Sequence, residues 1–321
     1  MNADYPTIDR YNIKTLDPIN QTNLRFLMDL TEGDPDIIIG LIDGPVDLLH
    51  PAFDESKITA VKKSYLSMCR DSDNVSCIHG TFISGILCAK RELGAPAIAP
   101  KCTLLLRPIF FDQISNVNSK GESFNNMNNA PSVIPSSNSE ELSTAIIETV
   151  DAGANIINLS LGLSTTSLIR YNELYDAYEY ARKNNVIIVS AAGNQGVIGN
   201  VSLLADEWIL PVSASDEYGV LAPGSNFGPL IGRRGIMAPG VNIRSTLSGG
   251  GFLNLSGTSC AAPFVSGSIA LLWSLFREAS SAQLVNSIRN STFNFRNRSV
   301  IPPLLNAKVA YENIKKLIRN K

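Results

Sequence analysis

Three side chains of this 321-residue chain could together perform nucleophilic catalysis: the Ser259 hydroxyl, the His79 imidazole and the Asp43 carboxylate. A serine hydroxyl is a weak nucleophile near neutral pH, and it needs a base such as histidine within hydrogen-bond reach. A carboxylate on the other ring nitrogen fixes the histidine tautomer and stabilises the imidazolium that forms. Each of the three residues has a glycine within two positions in the sequence. The pattern indicates acyl-transfer chemistry at a site built from turns.

The chain has only two histidines, so the choice of base lies between His79 and His50. His50 follows Asp43 by seven residues, precedes Pro51 and is predicted to share the loop of the aspartate, which favours a structural role. The base must be held by a different element from the carboxylate that orients it. His79 is therefore the favoured base and His50 the alternative. For each motif taken alone a simpler interpretation stays open: Asp43 would be a turn aspartate, and His79 and Ser259 would belong to helix caps.

A charge-free apolar run at 261–276 follows Ser259 and is typical of a helix buried in the middle of a domain. Pro263 has no N–H and fits the first turn of a helix, so the helix is predicted to begin near it. Ser259 would then lie at the positive N-terminal end, which favours developing negative charge. The run is shorter than the roughly 20 residues that span a bilayer.

The elements that must position these side chains alternate between strand and helix. The apolar, β-branched run 37–42 is typical of a parallel strand and places Asp43 at its carboxyl end. His79 is predicted at the start of an apolar helix, 82–89. Further strands are predicted at 102–109, 155–161, 186–191, 208–214, 236–238 and 241–247, and helices at 140–152, 174–183, 283–289 and 307–319. This order predicts an α/β fold, a mostly parallel central sheet with helices on both faces.

Composition excludes several classes of protein. With 44% apolar and 17% charged residues and a net charge of −2, the chain has no field that would attract nucleic acid or an anionic membrane. Residues 1–21 lack the basic-then-apolar order of a signal peptide, so a cytoplasmic location is predicted. The five cysteines are expected to be free thiols, and Cys69 and Cys77 would pair only in an oxidising compartment. Two histidines and no CxxC predict no metal and no cofactor.

Domain organisation is predicted to be simple. Residues 1–35 form a lead-in with one or two helical turns around 23–30, and 36–321 form a single catalytic domain. Within it, seven Asn and seven Ser make up half of the 28 positions of 112–139. Such a composition buries too little apolar surface to order itself. We expect a mobile surface insertion there.

Four motifs resemble, in order, the signatures of the subtilase (S8) family of serine proteases: 42–44 (IDG), 79–81 (HGT), 191–194 (AAGN) and 257–263 (GTSCAAP). The chain order Asp, His, Ser is that of the subtilisin-like enzymes. The resemblance runs from about residue 37 to the C-terminal helix. It implies a subtilisin-like three-layer fold and a serine endopeptidase that acts on peptides through an acyl-enzyme.

The same resemblance assigns roles to further residues. The Asn194 side chain and the Ser259 backbone N–H would donate hydrogen bonds to the oxyanion. One stretch would pair with an extended peptide as an added strand, namely Ser160, Leu161 and Gly162. A second would wall the pocket for the residue before the scissile bond, namely Ala191, Ala192 and Gly193. Neither stretch carries a charge, so a neutral or apolar preference is expected.

The chain departs from many secreted subtilases at two positions. Ala52 stands nine residues after Asp43, where those enzymes carry a calcium-ligating aspartate, so that calcium site is predicted to be absent and activity to be independent of calcium. Cys260 follows Ser259, where methionine is usual. It is expected to be a packing residue, with a second nucleophile as the alternative.

Local matches at 41–47, 50–51, 98–102 and 107–110 resemble the proteases of cyanobactin-type peptide maturation. In that group one protease trims a precursor peptide, and another carries a helical insert between its Asp and His motifs and macrocyclises. Here the two motifs are only 36 residues apart, so the insert is predicted to be absent. The predicted function is cleavage of a precursor of a ribosomal modified peptide, with linear products. The alternatives are a transpeptidase or macrocyclase on the same triad and a catalytically silent peptide-binding scaffold.

Overall fold

The computed structural model describes residues 17–61, 69–110, 136–163, 171–198, 204, 206–291 and 299–319, and the fold is given for these residues. The strands are β1 (Ile38–Asp43), β2 (Ile58–Ala60), β3 (Thr103–Pro108), β4 (Ser136–Ser137), β5 (Ile156–Leu159), β6 (Gly162–Leu163), β7 (Ile187–Ala191), β8 (Ile209–Ser215), β9 (Ile236–Pro239), β10 (Ile243–Thr246) and β11 (Phe252–Leu255). The helices are α1 (Pro18–Gln21), α2 (Leu24–Leu30), α3 (Val75–Cys88), α4 (Ser139–Asp151), α5 (Tyr171–Lys183), α6 (Pro229–Arg234), α7 (Thr258–Leu275), α8 (Ser281–Arg289) and α9 (Ala307–Arg319).

A seven-stranded sheet forms the middle layer, in the order β2-β3-β1-β5-β7-β8-β9. Every neighbouring pair in it is parallel, with Ile39 of β1 opposite Leu104 on one side and Ile156 on the other. Strands β5, β7 and β8 are buried at every position, which explains their near-continuous apolar sequences. The predicted α/β fold with a mostly parallel sheet is confirmed.

Alternate side chains of the strands enter two separate cores, one on each face of the sheet. On one face, residues such as Ile39 and Val189 pack with the apolar sides of α3 and α7. On the other, residues such as Ile157 and Ile188 pack with α4 and α5. Helices therefore cover both faces of the sheet, as the alternation of the elements predicts.

The two helices that carry His79 and Ser259 begin earlier than the sequence predicts. Helix α3 starts at Val75 because the Asn74 side chain caps it, accepting from the backbone N–H groups of Ser76 and Cys77. His79 therefore lies in the second turn rather than at the start. Helix α7 starts at Thr258, so Pro263 lies inside it rather than at its beginning.

Helix α7 has the length and hydropathy of a membrane-spanning segment, contrary to the shorter run expected from the sequence. In the structure 78% of this 18-residue window is buried inside the fold. It is the central helix of the larger core. No other helix of the described ranges is long and apolar enough to cross a bilayer.

Several short elements and one covalent link were not predicted. Strand β2 lies between β1 and α3, where no strand was predicted, and 241–247 gives β10, which pairs with β11 in a separate antiparallel hairpin. Cys69 and Cys77 form a disulfide, so the expectation of five free thiols is wrong for this pair, whereas Cys88, Cys102 and Cys260 are free and buried. The predicted insertion at 112–139 lies mostly outside the described residues; its last part forms β4 and the start of α4.

Candidate active site

Asp43 and His79 form a direct pair. Asp43 is the last residue of β1 and is fully buried, and its Oδ1 accepts from Nδ1 of His79 at 2.6 Å and from the Gly44 backbone N–H at 2.6 Å. Its other oxygen, Oδ2, has no hydrogen-bond partner among the residues that the structure describes. The His79 side chain is 14% exposed. The carboxylate is thus directed at one nitrogen of the imidazole, which leaves Nε2 for chemistry.

A glycine allows α3 to lie against the turn that follows β1. A Cβ at Gly80 would come within 2.4 Å of the carbonyl oxygens of both Gly44 and Pro45, closer than any side chain can approach. The glycine beside His79 in the sequence is therefore needed for the close contact of helix and turn. That contact brings His79 to Asp43.

Two opposing effects set the pKa of His79. Burial lowers it, because a charged imidazolium is poorly solvated inside the protein, whereas the charge of Asp43 and its hydrogen bond raise it. The two contributions of Asp43 together outweigh burial, so the pKa of His79 lies above its ordinary value of 6.5. The imidazole is a stronger base than a buried histidine without this partner.

Ser259 is the second residue of α7 and is half-buried. Gly257, with a φ of +148°, forms the turn before it, in a backbone region that side chains disfavour. A Cβ at Gly257 would lie 3.5 Å from Ser259 Oγ and 3.1 Å from Nδ2 of Asn194. The hydroxyl and the amide therefore border the same small space. His79 and Ser259, both described, share no hydrogen bond; in free enzymes such bonds often tighten only when substrate binds.

Pro263 has an effect on Ser259 that the sequence did not suggest. In a regular helix the N–H of residue 263 would donate to the Ser259 carbonyl, and proline has no N–H. The Ser160 hydroxyl donates to that carbonyl instead, at 3.1 Å. Asn158 donates to Ser160 Oγ at 2.9 Å and accepts from Ser266 at 2.8 Å. A buried polar chain thus holds the backbone of the predicted nucleophile.

The Asn194 amide is oriented by α7. Its Oδ1 accepts from the Thr258 backbone N–H at 2.8 Å and from the Thr258 hydroxyl at 3.1 Å, and the same hydroxyl accepts from the Gly193 N–H at 3.0 Å. Since the carbonyl oxygen of the amide is occupied, Nδ2 faces the space above Gly257. A donor next to Ser259 Oγ can stabilise negative charge that develops there.

The stretches predicted to bind peptide differ in their surroundings. Ala191 and Ala192 are buried, and they carry no charge. Ser160 and Leu161 are buried, and the Ser160 hydroxyl is committed to Ser259 rather than facing a groove. Gly162 lies in β6, which pairs in parallel with β4. One edge of β6 at Gly162 therefore pairs with β4, and the predicted pairing with a peptide stays a prediction.

His50, the alternative base, is held in a structural role. Its Nδ1 accepts from the Ala52 N–H at 3.1 Å, and its Nε2 donates to the Gly251 carbonyl at 2.8 Å. Both ring nitrogens are therefore occupied, and the side chain is only 3% exposed. The ring lies between Phe53 and Phe252. His50 links the loop after β1 to the β10–β11 hairpin.

Cys260 is a packing residue, as expected. Its side chain is 1% exposed and belongs to the core between α7 and the sheet. Burial raises the pKa of the Cys260 thiol to about 12, with smaller effects from a hydrogen bond with Ser259 and from the nearby Asp43 carboxylate. A thiol that stays protonated is a poor nucleophile.

Metal ligands do not converge in the described part of the chain, where no three His, Cys, Asp or Glu side chains come together as a metal site requires. The predicted independence from calcium stays a prediction. Three further polar residues contribute to the site in roles that the sequence did not predict, because each acts through a contact with a distant part of the chain: Thr258, Asn158 and Asn226.

A family model, the subtilase family, matches residues 34–314 of the chain. Among curated proteins, a thermophilic serine proteinase of Bacillus sp. (strain AK1) is 32% identical over 250 residues, which are 77% of this chain and 54% of that protein. A thermostable alkaline protease of Halalkalibacterium halodurans is 28% identical over 214 residues, which are 66% of this chain and 52% of that protein. The chain thus spans about half the length of these relatives.

Solved structures match over nearly their whole length. The prenylagaramide maturation protease PagA has a TM-score of 0.73 and 30% identity, with 91% of this chain and 98% of that chain covered. The patellamide maturation protease PatA has a TM-score of 0.70 and 31% identity, with 88% of this chain and 98% of that chain covered. The PatG macrocyclase domain, at a TM-score of 0.74 and 20% identity, is similar in fold alone.

Proposed function

The chain belongs to the subtilase family, and from this membership we propose that it is a serine endopeptidase that cleaves peptide bonds through an acyl-enzyme. The observation that carries the proposal is the 2.6 Å bond between Asp43 and His79 of α3, with Ser259 and the Asn194 amide bordering one space at the start of α7, the helix that packs against α3. Its partner is a peptide, and its chemistry needs no cofactor. A nucleophile, a base, an orienting carboxylate and an oxyanion donor are the parts that acyl transfer requires.

The proposed reaction has two halves. Ser259 Oγ attacks the scissile carbonyl while Nε2 of His79 takes the hydroxyl proton, and Asp43 stabilises the imidazolium. The Asn194 side chain and the Ser259 N–H donate to the oxyanion of the tetrahedral intermediate. His79 then protonates the leaving amine, and an acyl-enzyme remains. In the second half, water gives a proton to His79 and attacks the ester. His79 then gives this proton to Ser259 Oγ, which leaves the carboxylic acid product and restores the serine hydroxyl.

Labelling with a fluorophosphonate tests the nucleophile. The serine oxygen bonds to phosphorus and fluoride leaves, so the protein gains the mass of the phosphonyl group at one residue. We expect Ser259 to be labelled and Ser259→Ala to be unlabelled, with Ser248→Ala, a serine outside the site, labelled at the normal rate. Labelling that persists in Ser259→Ala would exclude Ser259 as the nucleophile, and peptide binding without labelling or turnover would favour a silent scaffold.

For the substrate we propose a precursor peptide that is cleaved to linear products. The support is the likeness, at 30% and 31% identity over almost complete chains, to two proteases named for the maturation of prenylagaramide and patellamide. Water at bulk concentration reacts with the acyl-enzyme first unless a cover excludes it. Between Asp43 and His79 the described residues form a short 3₁₀ turn (Pro51–Phe53), β2 and the first residues of α3, with no added helical pair.

Mass spectrometry of the products tests this second part. A precursor or model peptide should yield fragments whose summed mass exceeds that of the substrate by one water. Products that lack this water, at a yield that rivals the linear ones, would identify a transpeptidase or macrocyclase instead. The Ser259→Ala variant should give neither product, which separates enzymatic cleavage from contaminating proteases.

A further inference from the structure

Asn226 is a fully buried residue outside the predicted site, and among the described residues its side-chain hydrogen bonds all go to one loop. We call residues 192–197, which carry Asn194, the oxyanion loop. The Asn226 carboxamide donates to the Ala192 carbonyl at 2.9 Å and to Oε1 of Gln195 at 2.7 Å. Its Oδ1 accepts from the backbone N–H groups of Gln195 at 3.0 Å and Val197 at 3.2 Å. Both ends of the amide therefore hold the oxyanion loop.

The contacts of Asn226 bracket Asn194 on both sides. The Asn226 backbone N–H donates to the Gly193 carbonyl at 2.9 Å, just before Asn194, and Oδ1 binds Gln195 just after it. The carboxamide also explains the glycine at 193, because a Cβ there would lie 2.5 Å from Nδ2 of Asn226. Gly193 has a φ of +100°, which a side chain would disfavour in any case. The backbone of the oxyanion loop is thus shaped around this amide.

Two separate sets of bonds therefore hold Asn194. Thr258 of α7 fixes the amide end of its side chain, and Asn226 fixes the backbone from which that side chain extends. Asn226 is itself attached to the central sheet, because the Ser213 hydroxyl of β8 donates to its carbonyl at 2.9 Å. An oxyanion donor is effective only when its position is set before the reaction begins. Because Asn226 is attached to the sheet, the oxyanion loop can hold Asn194 in a fixed position before the reaction begins.

We propose that Asn226 is a positioning residue for the oxyanion site: it holds the oxyanion loop so that Nδ2 of Asn194 meets the developing charge. The proposal rests on the proposed peptidase function. Asn226 does not touch the reacting atoms, so it acts only through Asn194. Removing it should slow acyl transfer while the Asp43–His79 pair stays intact.

A double-mutant cycle on Asn226 and Asn194 tests this coupling. The readouts are kcat on a peptide p-nitroanilide and the rate of inactivation by a small alkyl fluorophosphonate, which has no peptide side chain to place in the pocket. Loss of the corresponding donor in subtilisin lowers kcat by about 10²–10³-fold, and Asn194→Ala should do the same. We expect Asn226→Ala to lower both rates by at least tenfold. In the Asn194→Ala background the same change should cost less than about twofold.

Control variants separate positioning from general destabilisation. Thr103→Val removes a hydrogen bond from β3 to the Pro35 carbonyl, in a part of the sheet remote from β8 and the oxyanion loop, so it should lower the melting temperature and keep kcat within twofold. Asn226→Asp keeps the side-chain volume and loses the two donated bonds, and it should repeat the rate loss if Asn226→Ala does not fold. The acid limb of the pH–rate profile should not move in either Asn226 variant.

Each outcome of the cycle decides the proposal. Rate losses that multiply in the double variant would overturn it, since a merely structural residue weakens both backgrounds equally. An Asn226→Ala variant that folds and keeps the wild-type rates would also overturn it. If Asn194→Ala itself keeps the wild-type rate, the oxyanion role fails together with this inference. A slow Asn194→Ala variant with independent losses would reject the inference and leave the proposed function intact.

Discussion

At the scale of single residues, Asp43 controls the basicity of His79. Asp43→Asn removes the charge that raises the pKa of His79 and leaves the burial that lowers it, so the pKa should fall. Because activity requires the neutral imidazole, the acid limb of kcat/KM should move to lower pH. The kcat of the variant should be about 10⁴-fold lower than that of the wild type, the usual cost of replacing the aspartate of a serine-protease triad by asparagine, because the imidazolium loses its charged partner. A pH–rate profile measures both effects.

Asp47→Asn is the matched control for this prediction. It removes the same charge four residues later, from a carboxylate that accepts from the Leu49 and Gly249 N–H groups and does not contact His79. Its acid limb should coincide with that of the wild type. An acid limb that does not move in Asp43→Asn would contradict the assignment.

The Asp43–His79 pair also affects the stability of the fold. Because the pKa of His79 is raised in the folded protein, the pair contributes stability below about pH 6.5, and this stability is lost as the pH rises through the folded pKa.

The sequence was informative about residues whose chemistry leaves little choice. Only histidine serves as a base near neutral pH, and with two histidines in the chain the assignment of His79 needed only an argument about separate elements. Asn226 gave no such signal. An asparagine between Ser225 and Phe227 is unremarkable in a loop, and its importance comes from bonds to residues about thirty positions earlier. Such partners become visible only when the fold brings them together.

At the scale of elements, the start of α7 shows how a correct local rule gave a wrong boundary. Proline does leave a carbonyl without its helical donor, and the sequence rule therefore placed Pro263 in the first turn. In the structure that carbonyl belongs to Ser259 and receives the Ser160 hydroxyl from β5's end of the sheet. The helix can therefore begin five residues earlier, at Thr258. A tertiary hydrogen bond replaced the missing helical one.

This replacement predicts a compensating pair of substitutions. Ser160→Ala should leave the Ser259 carbonyl without its donor and destabilise the fold by about 1–3 kcal/mol, the usual cost of a buried unpaired polar group. Adding Pro263→Ala supplies a helical N–H to the same carbonyl, so the double variant should regain most of the loss. Urea unfolding of the four proteins measures the free energies.

Ser268→Ala is the control for that comparison. Ser268 is a buried serine of the same helix, and its hydroxyl donates at 2.7 Å to the Phe264 carbonyl, which keeps its helical N–H when the hydroxyl is removed. Ser268→Ala should lower the free energy of unfolding by less than Ser160→Ala does, and adding Pro263→Ala should not restore that loss. A double variant as unstable as Ser160→Ala alone would show that Pro263 does not create the need for Ser160.

At the scale of the whole molecule, the three-layer α/β fold was predictable because each layer leaves a local pattern. Apolar β-branched runs mark strands buried on both faces, and amphipathic segments between them mark the covering helices. What the sequence could not give were features set by contacts between layers. The hairpin of β10 and β11 lies outside the central sheet, although 241–247 resembles the other strands, because its partner is the next segment of chain. The pairing of β4 with β6, by contrast, joins two segments that α4 and β5 separate in the sequence.

The cysteines provide the last prediction, which concerns their oxidation state. Disulfides persist in oxidising environments and are rare in the cytosol. Cys69 and Cys77 are bridged, with their Cα atoms 5.4 Å apart. Burial raises the pKa of the Cys88 thiol to about 12 and that of Cys102 to about 11, so these thiols should not react in the folded protein.

We therefore expect protein prepared under oxidising conditions to show no fast-reacting thiol when folded, three thiols after denaturation and five after denaturation with reductant. The bridge closes a short loop between Cys69 and Cys77 and lowers the entropy of the unfolded chain, which stabilises the fold by about 2–3 kcal/mol. Reduction should accordingly lower the melting temperature by about 4 °C in a chain of this size. The variant with both Cys69→Ser and Cys77→Ser should have the melting temperature of the reduced wild-type protein, and reductant should not change it. Five thiols in the oxidised, denatured protein would contradict the bridge.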